Sequence, residues 1–178
     1  MTRETVFSPC RKYRYTLWRA WALDLFDDRS KSGFVQFIGL NPSTADEMQD
    51  DPTIRRCLDF TRRWGYSTLC MTNLFAWRET LPREMKKVQH PTHPEPGAGP
   101  GENDVWIETV AAQAALVIAA WGRDGKYLQR GQQVMALLKV RDIKVHHLGL
   151  NDDGTPKHPL YLKATTEPVL FEEAAVSQ

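Results

Sequence analysis

A carboxamide and two hydroxyls follow the clearest strand pattern in this sequence. The apolar run from Phe34 to Ile38 breaks into Gly39-Leu40-Asn41-Pro42-Ser43-Thr44. An amide at such a position can orient a water or bind a carbonyl, and the nearby backbone N–H groups can receive an anion. The same residue types are common in turns and caps, so an ordinary strand-to-loop turn is the alternative interpretation.

The acidic residues that come next raise the question of a metal ion. They are Asp46, Glu47, Asp50 and Asp51. Hard divalent cations prefer such oxygen ligands, but the D-x-D-x-D-G pattern of a calcium loop is absent. Asp51 stands directly before Pro52, which is typical of a capped helix start. We therefore predict capping and solvation rather than a metal site.

A second amide, Asn73, ends another short apolar segment and stands before Leu74-Phe75-Ala76-Trp77-Arg78. Its amide could read a ligand edge by paired hydrogen bonds, with Phe75 stacking on a flat ligand and Arg78 contributing charge. The alternative is that Phe75 and Trp77 belong to the core, which is the commoner position for such aromatics.

Two further segments carry candidate ligand contacts. Trp121-Gly122-Arg123 ends a third apolar run, and the glycine there allows close approach, although it can also serve packing alone. Lys157-His158-Pro159-Leu160-Tyr161 follows a loop rich in turn residues. His158 is a candidate acid or electrophile. His146 and His147 are adjacent in one strand and point to opposite faces, which argues against a shared metal.

Length and charge limit the class of protein. The 178 residues predict one domain spanning residues 1–178. A formal net charge of +1 gives no overall electrostatic argument for nucleic acid. The sequence also lacks G-x-G-x-x-G, G-x-x-x-x-G-K-[ST] and G-x-S-x-G, so dinucleotide-binding, P-loop and hydrolase-elbow assignments lose their main support.

The cysteines and the apolar stretches predict a soluble cytoplasmic protein. Cys10, Cys57 and Cys70 are too few for a disulfide framework and form no CxxC pair. The N-terminus lacks the apolar region of a signal peptide, and no stretch reaches the length of a transmembrane span, so we expect no membrane association. The oligomeric state does not follow from the sequence.

The pattern of elements predicts an α/β fold with a three-layer α/β/α arrangement. Expected strands lie near residues 34–38, 68–73, 115–121 and 143–148, with a weaker one at 13–18, and expected helices at about 52–64, 103–114 and 126–139. Asn103 is expected to cap the second helix, and a short helix is expected after Leu162. The alternation of strand and helix predicts a mainly parallel, four-stranded central sheet with helices on both faces.

Such a sheet would gather the candidate residues. Ligands bind beyond the carboxyl ends of parallel strands. That rule brings four loops into one cleft, namely residues 39–51, 73–78, 121–126 and 148–161. Residues 82–101 hold many prolines and glycines and are expected to form a surface loop.

The succession IGLNPST, LCMTNLFAWR, LVIAAWGRDGKYL and KHPLYL resembles the uracil-DNA glycosylase superfamily. In that family a G-x-[DN]-P motif, a strand ending in Asn, a W-G pair and an H-P loop occur in this order. The resemblance covers short motifs within about residues 34–162. The chain also resembles, over nearly its whole length, a bacterial or phage family of unknown function with a GLNPSTAD segment and a later HPLYL.

The glycosylase resemblance implies roles for individual residues. Asn41 would position or activate the attacking water, and Asn73 would read the edge of the base. His158 would steady the negative charge on the departing base, while Leu160 or Tyr161 would enter the DNA groove. Gly39, Pro42, Ser43, Thr44, Phe75, Arg78, Trp121, Gly122 and Arg123 would complete the substrate-binding surface.

This resemblance implies hydrolysis of the N-glycosidic bond of a base in DNA, and the base can be a modified one. It implies no metal or other cofactor. The partner would be DNA or another nucleobase-containing ligand. A hydrolase acting on free nucleosides or nucleotides is an alternative that suits the small net charge better. A second alternative is a binding module for nucleic acid or protein that has kept the fold and lost catalysis.

Overall fold

A computed structural model describes residues 1–22, 30–43, 49–92 and 102–171. Within these ranges the strands are β1 (Thr2–Phe7), β2 (Arg14–Ala20), β3 (Val35–Gly39), β4 (Thr68–Asn73), β5 (Leu116–Ala119), β6 (Val145–His147) and β7 (Val169–Leu170). The helices are α1 (Pro52–Arg63), α2 (Pro82–Met85), α3 (Glu102–Ala111) and α4 (Arg130–Val140), with 3₁₀ segments at Arg123–Gln129 and Pro159–Tyr161. The predicted α/β class is therefore confirmed.

The strands form one sheet in the order β1-β2-β4-β3-β5-β6-β7. Strands β4, β3, β5 and β6 pair in parallel, whereas β1 and β2 at one side and β7 at the other pair antiparallel. The described sheet has seven strands, whereas the predicted central sheet had four. The sequence did not predict β1, because only Val6 and Phe7 are apolar in that strand, nor β7, which has just two residues.

The register of the sheet brings several strand ends to one edge. In the parallel pair, Gly39 of β3 lies opposite Asn73 of β4. Strand β2 runs antiparallel to β4, so its first residue lies where β4 ends. Accordingly, the backbone N–H of Arg14 donates to the carbonyl of Ala76 at 2.8 Å. The edge therefore receives side chains from both the beginning and the middle of the chain.

Two apolar clusters cover the two faces of the sheet. Phe37 belongs to one and Ile38 to the other, as alternation along a strand requires. The first cluster joins the sheet to α1 through Ile54, Cys57, Leu58, Phe60 and Trp64. The second joins it to α3 and α4 through Ile107, Ala111, Val134 and Leu138. These helices fix the loops that follow the strands.

Helix α1 begins as the sequence predicts. Asp51 is its N-cap, and its Oδ1 accepts from the backbone N–H of Ile54 at 2.8 Å. Proline at the first helical position costs no hydrogen bond because that N–H has no partner in a helix. The chain leaves the helix at Trp64 and turns at Gly65, whose φ of 85° suits glycine.

Other predicted boundaries were wrong. Asn103 is not a cap but a buried residue inside α3, where its Nδ2 donates to the carbonyls of Asn73 and Leu74. Helix α4 begins at Arg130 rather than 126, because the preceding residues form a 3₁₀ segment. The chain after Leu162 contains strand β7, and residues 172–178 lie outside the described ranges.

Candidate functional site

A cavity of about 530 Å³ opens at the carboxyl edge of β3, β4 and β5. All four loops expected at this edge contribute to it. From the predicted site residues, its lining includes Gly39, Asn41, Ser43, Asn73, Trp121, Gly122, Arg123, His158, Leu160 and Tyr161. The structure thus brings together residues that are distant in sequence, including the two amides and the histidine.

Asn41 has a fixed orientation at this edge. Its Nδ2 donates to the backbone carbonyls of Glu79 and Pro42. Both bonds use the nitrogen, and Oδ1 accepts no hydrogen bond from the residues that the structure describes. The side chain can therefore offer a carbonyl oxygen as an acceptor to a water or a ligand donor.

Asn73 is nearly fully buried at the bottom of the cavity, with 3% of its surface exposed. Its Nδ2 is buried without a hydrogen-bond partner. A Cβ added at Gly39 would lie 2.7 Å from the Asn73 Oδ1, so only glycine leaves room for this amide. Gly39 is therefore required for the packing of Asn73 and not only for a turn.

His158 stands before the Pro159–Tyr161 segment, at the side of the cavity that faces Gly122. A Cβ at Gly122 would lie 3.7 Å from the His158 Cβ, and the φ of Gly122 is 72°. The His158 Nδ1 accepts from the Leu160 backbone N–H at 3.3 Å. Burial lowers the pKa of His158, although the charge of Asp51 opposes this. The neutral ring then carries its proton on Nε2.

Asp51 faces the cavity while it caps α1. Its Oδ1 accepts from the Ile54 N–H and its Oδ2 from the Ser43 hydroxyl at 2.9 Å. Each carboxylate oxygen has a second lone pair, so a further donor can still bind. Asp51 is the carboxylate whose charge acts on both Arg14 and His158.

Arg14 is a cation inside the protein, with 4% of its surface exposed. It lines the cavity, and its Nε has no hydrogen-bond partner. Within the described part of the chain its guanidinium forms no ion pair. Burial lowers the pKa of Arg14 to about 10, with the charge of Asp51 acting in the opposite direction. The side chain therefore remains charged at neutral pH.

The rim of the cavity combines aromatic and charged groups. Tyr161 is 85% exposed, and Leu160 beside it is 40% exposed. Arg123 is already paired, because its guanidinium lies 3.4 Å from carboxylate oxygens of both Asp152 and Asp153. The rim therefore offers apolar contact area more readily than unpaired positive charge.

Some predicted site residues do not line the cavity. Pro42 is buried, and its carbonyl accepts from the Glu79 N–H and the Asn41 amide. Phe75 is fully buried in the apolar cluster below α3 and α4. It therefore belongs to the core, which was the alternative to stacking on a ligand. Arg78 lies over the ring of Phe7, at 4.9 Å from its centroid. Thr44 lies outside the described residues.

The sequence raised the question whether Arg14 rims the cleft, but Arg14 was not among the candidate site residues. Its position in the cavity lining depends on the antiparallel pairing of β2 with β4. Asp51 was expected as a cap, which it is, and it ends a loop that was expected in the cleft, but it was not a candidate site residue. Glu79 lies outside the four expected loops, and no local pattern in the sequence signals its position.

A larger cavity of about 770 Å³ lies beside α4 and the end of β6. Its lining is mostly apolar, with Met135, Ile143 and Phe171 among its residues. Among the predicted site residues that the structure describes, only Trp121 reaches it. Lys126 also lies there and not at the rim of the polar cavity. The candidate chemistry is concentrated in the smaller cavity.

Within the described residues there is neither a cluster of metal-binding side chains nor a helix that could cross a membrane. Residues 1–22, 30–43, 49–92 and 102–171 contain no group of three or more His, Cys, Asp or Glu arranged to hold a metal ion. Asp46 and Glu47 lie outside these ranges. In the same ranges, every helix is too short or too polar to cross a membrane.

Fold and cavity together define an α/β protein with a polar, partly buried cavity at the carboxyl edge of its parallel strands. A family described as "Protein of unknown function (DUF1643)" matches residues 14–160, and the chain belongs to this family. The expected resemblance to a family of unknown function is thereby confirmed. Comparisons with curated proteins and with solved structures found no match.

Proposed function

We propose that the protein hydrolyses the N-glycosidic bond between a nucleobase and deoxyribose in DNA, in the manner of the uracil-DNA glycosylase superfamily that its motifs resemble. The observation that carries the proposal is that Asn41, Asn73 and His158 line one cavity. Among the described residues, Asn41 has a free acceptor, Asn73 has a buried donor without a partner, and His158 accepts at Nδ1, which leaves Nε2 to donate. No metal or cofactor is part of the mechanism.

The two amides suit different tasks. Asn41 offers Oδ1 as a fixed acceptor, which can hold a water on one face of the sugar. Asn73 offers an unpartnered Nδ2 in a nearly closed environment, which can donate to a base carbonyl. A ligand that supplies an acceptor to this buried, unpartnered donor binds more tightly, because it removes the cost of the missing hydrogen bond.

The proposed hydrolysis exchanges the bond between C1′ and the base for a bond between C1′ and a water oxygen. The water oxygen bonds to C1′ of the sugar, and the C1′–N bond breaks with its electron pair going to the base. The water proton passes to Asp51, because an amide such as Asn41 cannot act as a base at neutral pH. The Nε2–H of His158 donates to the base oxygen on which negative charge develops.

The fold supports this proposal independently of the side chains. Four parallel strands, with apolar clusters against helices on both faces, fit the expected three-layer arrangement of that superfamily. An exposed Tyr161 beside Leu160 fits a loop that enters a DNA groove, since enzymes that act on a base must take it out of the stack.

The test uses labelled duplexes containing uracil, mismatched thymine, or hydroxymethylated and glycosylated bases. Abasic sites are revealed by alkaline strand cleavage. We expect cleavage with at least one base, and a loss of about a hundredfold or more in rate for Asn41→Ala. Gln113→Ala removes an exposed amide far from the cavity and serves as control. Gel-shift binding without abasic sites for any base would contradict the proposal and favour a non-catalytic binding module.

Free nucleosides or nucleotides are a second candidate substrate class. The rim favours it, because Arg123 is paired with acidic residues and Arg78 and Lys126 lie away from the cavity. A duplex would find little unpaired positive charge there. Release of free base from nucleosides or nucleotides, with intact duplexes, would identify this activity.

A further inference from the structure

The buried guanidinium of Arg14 is the least expected feature of the cavity. Taking an ionised side chain out of water costs several kcal/mol unless a partner compensates. Within the described ranges Arg14 donates no side-chain hydrogen bond and forms no salt bridge, and Asp51 acts on it only as a nearby charge. The fold therefore holds a cation at a cost to its own stability.

Two other buried arginines, Arg19 and Arg130, each have a carboxylate partner. Arg19 donates to Asp50 at 2.8 Å, and Arg130 forms an ion pair with Asp104. Both are as deeply buried as Arg14. Among the buried arginines that the structure describes, the one without a matching carboxylate is thus Arg14, which faces the cavity.

The carboxylates in the cavity lining have their own local partners. Asp51 accepts from Ser43 and the Ile54 N–H. Glu79 accepts from the next two backbone N–H groups, and Asp124 pairs with Lys86. None of these acids is bonded to Arg14. A ligand that enters the cavity would therefore meet a guanidinium without a carboxylate partner and, in the same lining, the unpartnered Nδ2 of Asn73.

We propose that Arg14 binds an oxyanion of the ligand and that this oxyanion is the phosphate of the nucleotide whose base the cavity holds. Guanidinium groups bind phosphate oxygens through paired, charge-assisted hydrogen bonds. A volume of about 530 Å³ lies within the range of pockets that enclose a molecule of nucleotide size. The assignment of the base rests on the proposed function, whereas binding of the phosphate does not.

Calorimetric titration tests this without any catalytic step. The probes are inorganic phosphate, deoxynucleoside 5′-monophosphates, the matching deoxynucleosides, and a short single-stranded oligonucleotide. We expect at least one phosphorylated probe to bind about ten- to a hundredfold more tightly than its nucleoside, with that difference lost in Arg14→Met. Preference for the monophosphate assigns the phosphate to a free nucleotide, and preference for the oligonucleotide assigns it to the DNA backbone.

Arg14→Met also has a stability outcome that separates this role from a structural one. Replacing an unpartnered buried charge by an apolar side chain of similar length should leave the midpoint of thermal unfolding unchanged or raise it. A large decrease in that midpoint, or equal affinity for nucleotide and nucleoside in the unmodified protein, would overturn the assignment. Arg63→Met removes an exposed arginine at the end of α1 and is the matched control.

The outcome is independent of the proposed hydrolysis. Asn41→Ala should slow base release by about a hundredfold or more while it keeps the phosphate-dependent difference in affinity. Phosphate binding without base release from any substrate would leave the assignment of Arg14 standing and reject the hydrolase. Base release with no effect of Arg14→Met on affinity would support the hydrolase and reject the assignment of Arg14.

Discussion

Asn41 and Asn73 face the same cavity, but the protein holds them in different ways. The nitrogen of Asn41 bonds to two main-chain carbonyls, which fixes its orientation before any ligand arrives. The nitrogen of Asn73 is buried without a partner, which costs about 1–3 kcal/mol relative to a satisfied amide. A ligand acceptor at Asn73 recovers that free energy, so Asn73 contributes more to affinity and Asn41 more to geometry.

Gly39→Ala tests how tightly Asn73 is held. The new Cβ would meet the Asn73 Oδ1 at 2.7 Å, so we expect a loss of about 1–3 kcal/mol in the free energy of unfolding. Urea unfolding measures it. In an Asn73→Ala background the clash is gone, and the same substitution should cost clearly less. Equal costs in both backgrounds would show that the clash with Asn73 is not the cause.

The histidines predict how stability depends on pH. Burial lowers the pKa of His146, His147 and His158 below the usual value of 6.5. The unfolded chain therefore binds protons at a pH where the folded protein does not. The stabilisation is complete above about pH 6.5 and is lost as the pH falls from there through the lowered pKa values.

Unfolding in urea between about pH 7.5 and about pH 5.5 measures this effect. We expect the free energy of unfolding to decrease towards acid, and to decrease less in His158→Gln. NMR titration of the ring protons assigns the contribution of each histidine. A His158 that titrates at or above 6.5 in the folded protein would contradict the prediction.

Individual residues were predictable from the sequence where local chemistry sets their position. Asn41 lies two residues after the end of β3 and Asn73 is the last residue of β4, so the rule for parallel sheets brings them to one edge. Arg14 was not among the candidate site residues, because it reaches the cavity through an antiparallel strand that joins the sheet beside β4. Phe75 also follows β4, but its side chain turns into the core.

At the scale of elements, the first turn of α1 serves two purposes. Asp51 caps the N-terminus of the helix with a hydrogen bond from the Ile54 N–H, and it also lies in the cavity lining. A single carboxylate thus links the stability of the helix to the chemistry of the cavity. The two contributions can be separated because an amide caps a helix about as well as a carboxylate does.

Asp51→Ala should lower the free energy of unfolding by about 1 kcal/mol, the usual cost of a lost N-cap. Asp51→Asn should keep most of the cap and therefore most of the stability, while it removes the charge and the ability to accept a proton. Thermal unfolding compares the two. If Asp51→Asn destabilises the protein as much as Asp51→Ala, the capping hydrogen bond is not what Asp51 contributes.

The elements themselves were predictable to different degrees. Strand β4 has the predicted bounds, and α1 begins at Pro52, because apolar spacing and a capping pair define them within a few residues. Strands β1 and β7 were missed, since their stability comes from pairing with neighbours and not from their own composition. The start of α4 was misplaced because a 3₁₀ segment continues the helical spacing.

At the scale of the whole molecule, one carboxylate ties the N-terminal strands to the segment before α1. Asp50 bonds to the fully buried Arg19 of β2 and to Arg3 of β1. Its own backbone carbonyl accepts from Arg55 in α1. Through Asp50, the outer strands of the sheet and the helix that borders the cavity hold each other in place.

Asp50→Ala should therefore destabilise the protein by about 3–5 kcal/mol, since it leaves Arg19 buried without this carboxylate. Arg3→Ala should cost at most about 1 kcal/mol, because the Arg3 side chain is 28% exposed and its ion pair is weakened by water. Chemical denaturation of both variants gives the comparison. Similar losses for the two would mean that burial of Arg19 is not the source of the effect.

The lining of the polar cavity includes Arg14 near the beginning of the chain and His158 and Tyr161 near its end. These side chains meet only when contacts between distant segments have formed, which is the slow part of folding in sheets of this kind. On the ribosome, the cavity cannot be complete until His158 and Tyr161 have emerged. A nascent chain that stops before Lys157 would contain most of the hydrophobic core and yet have no closed cavity for a ligand.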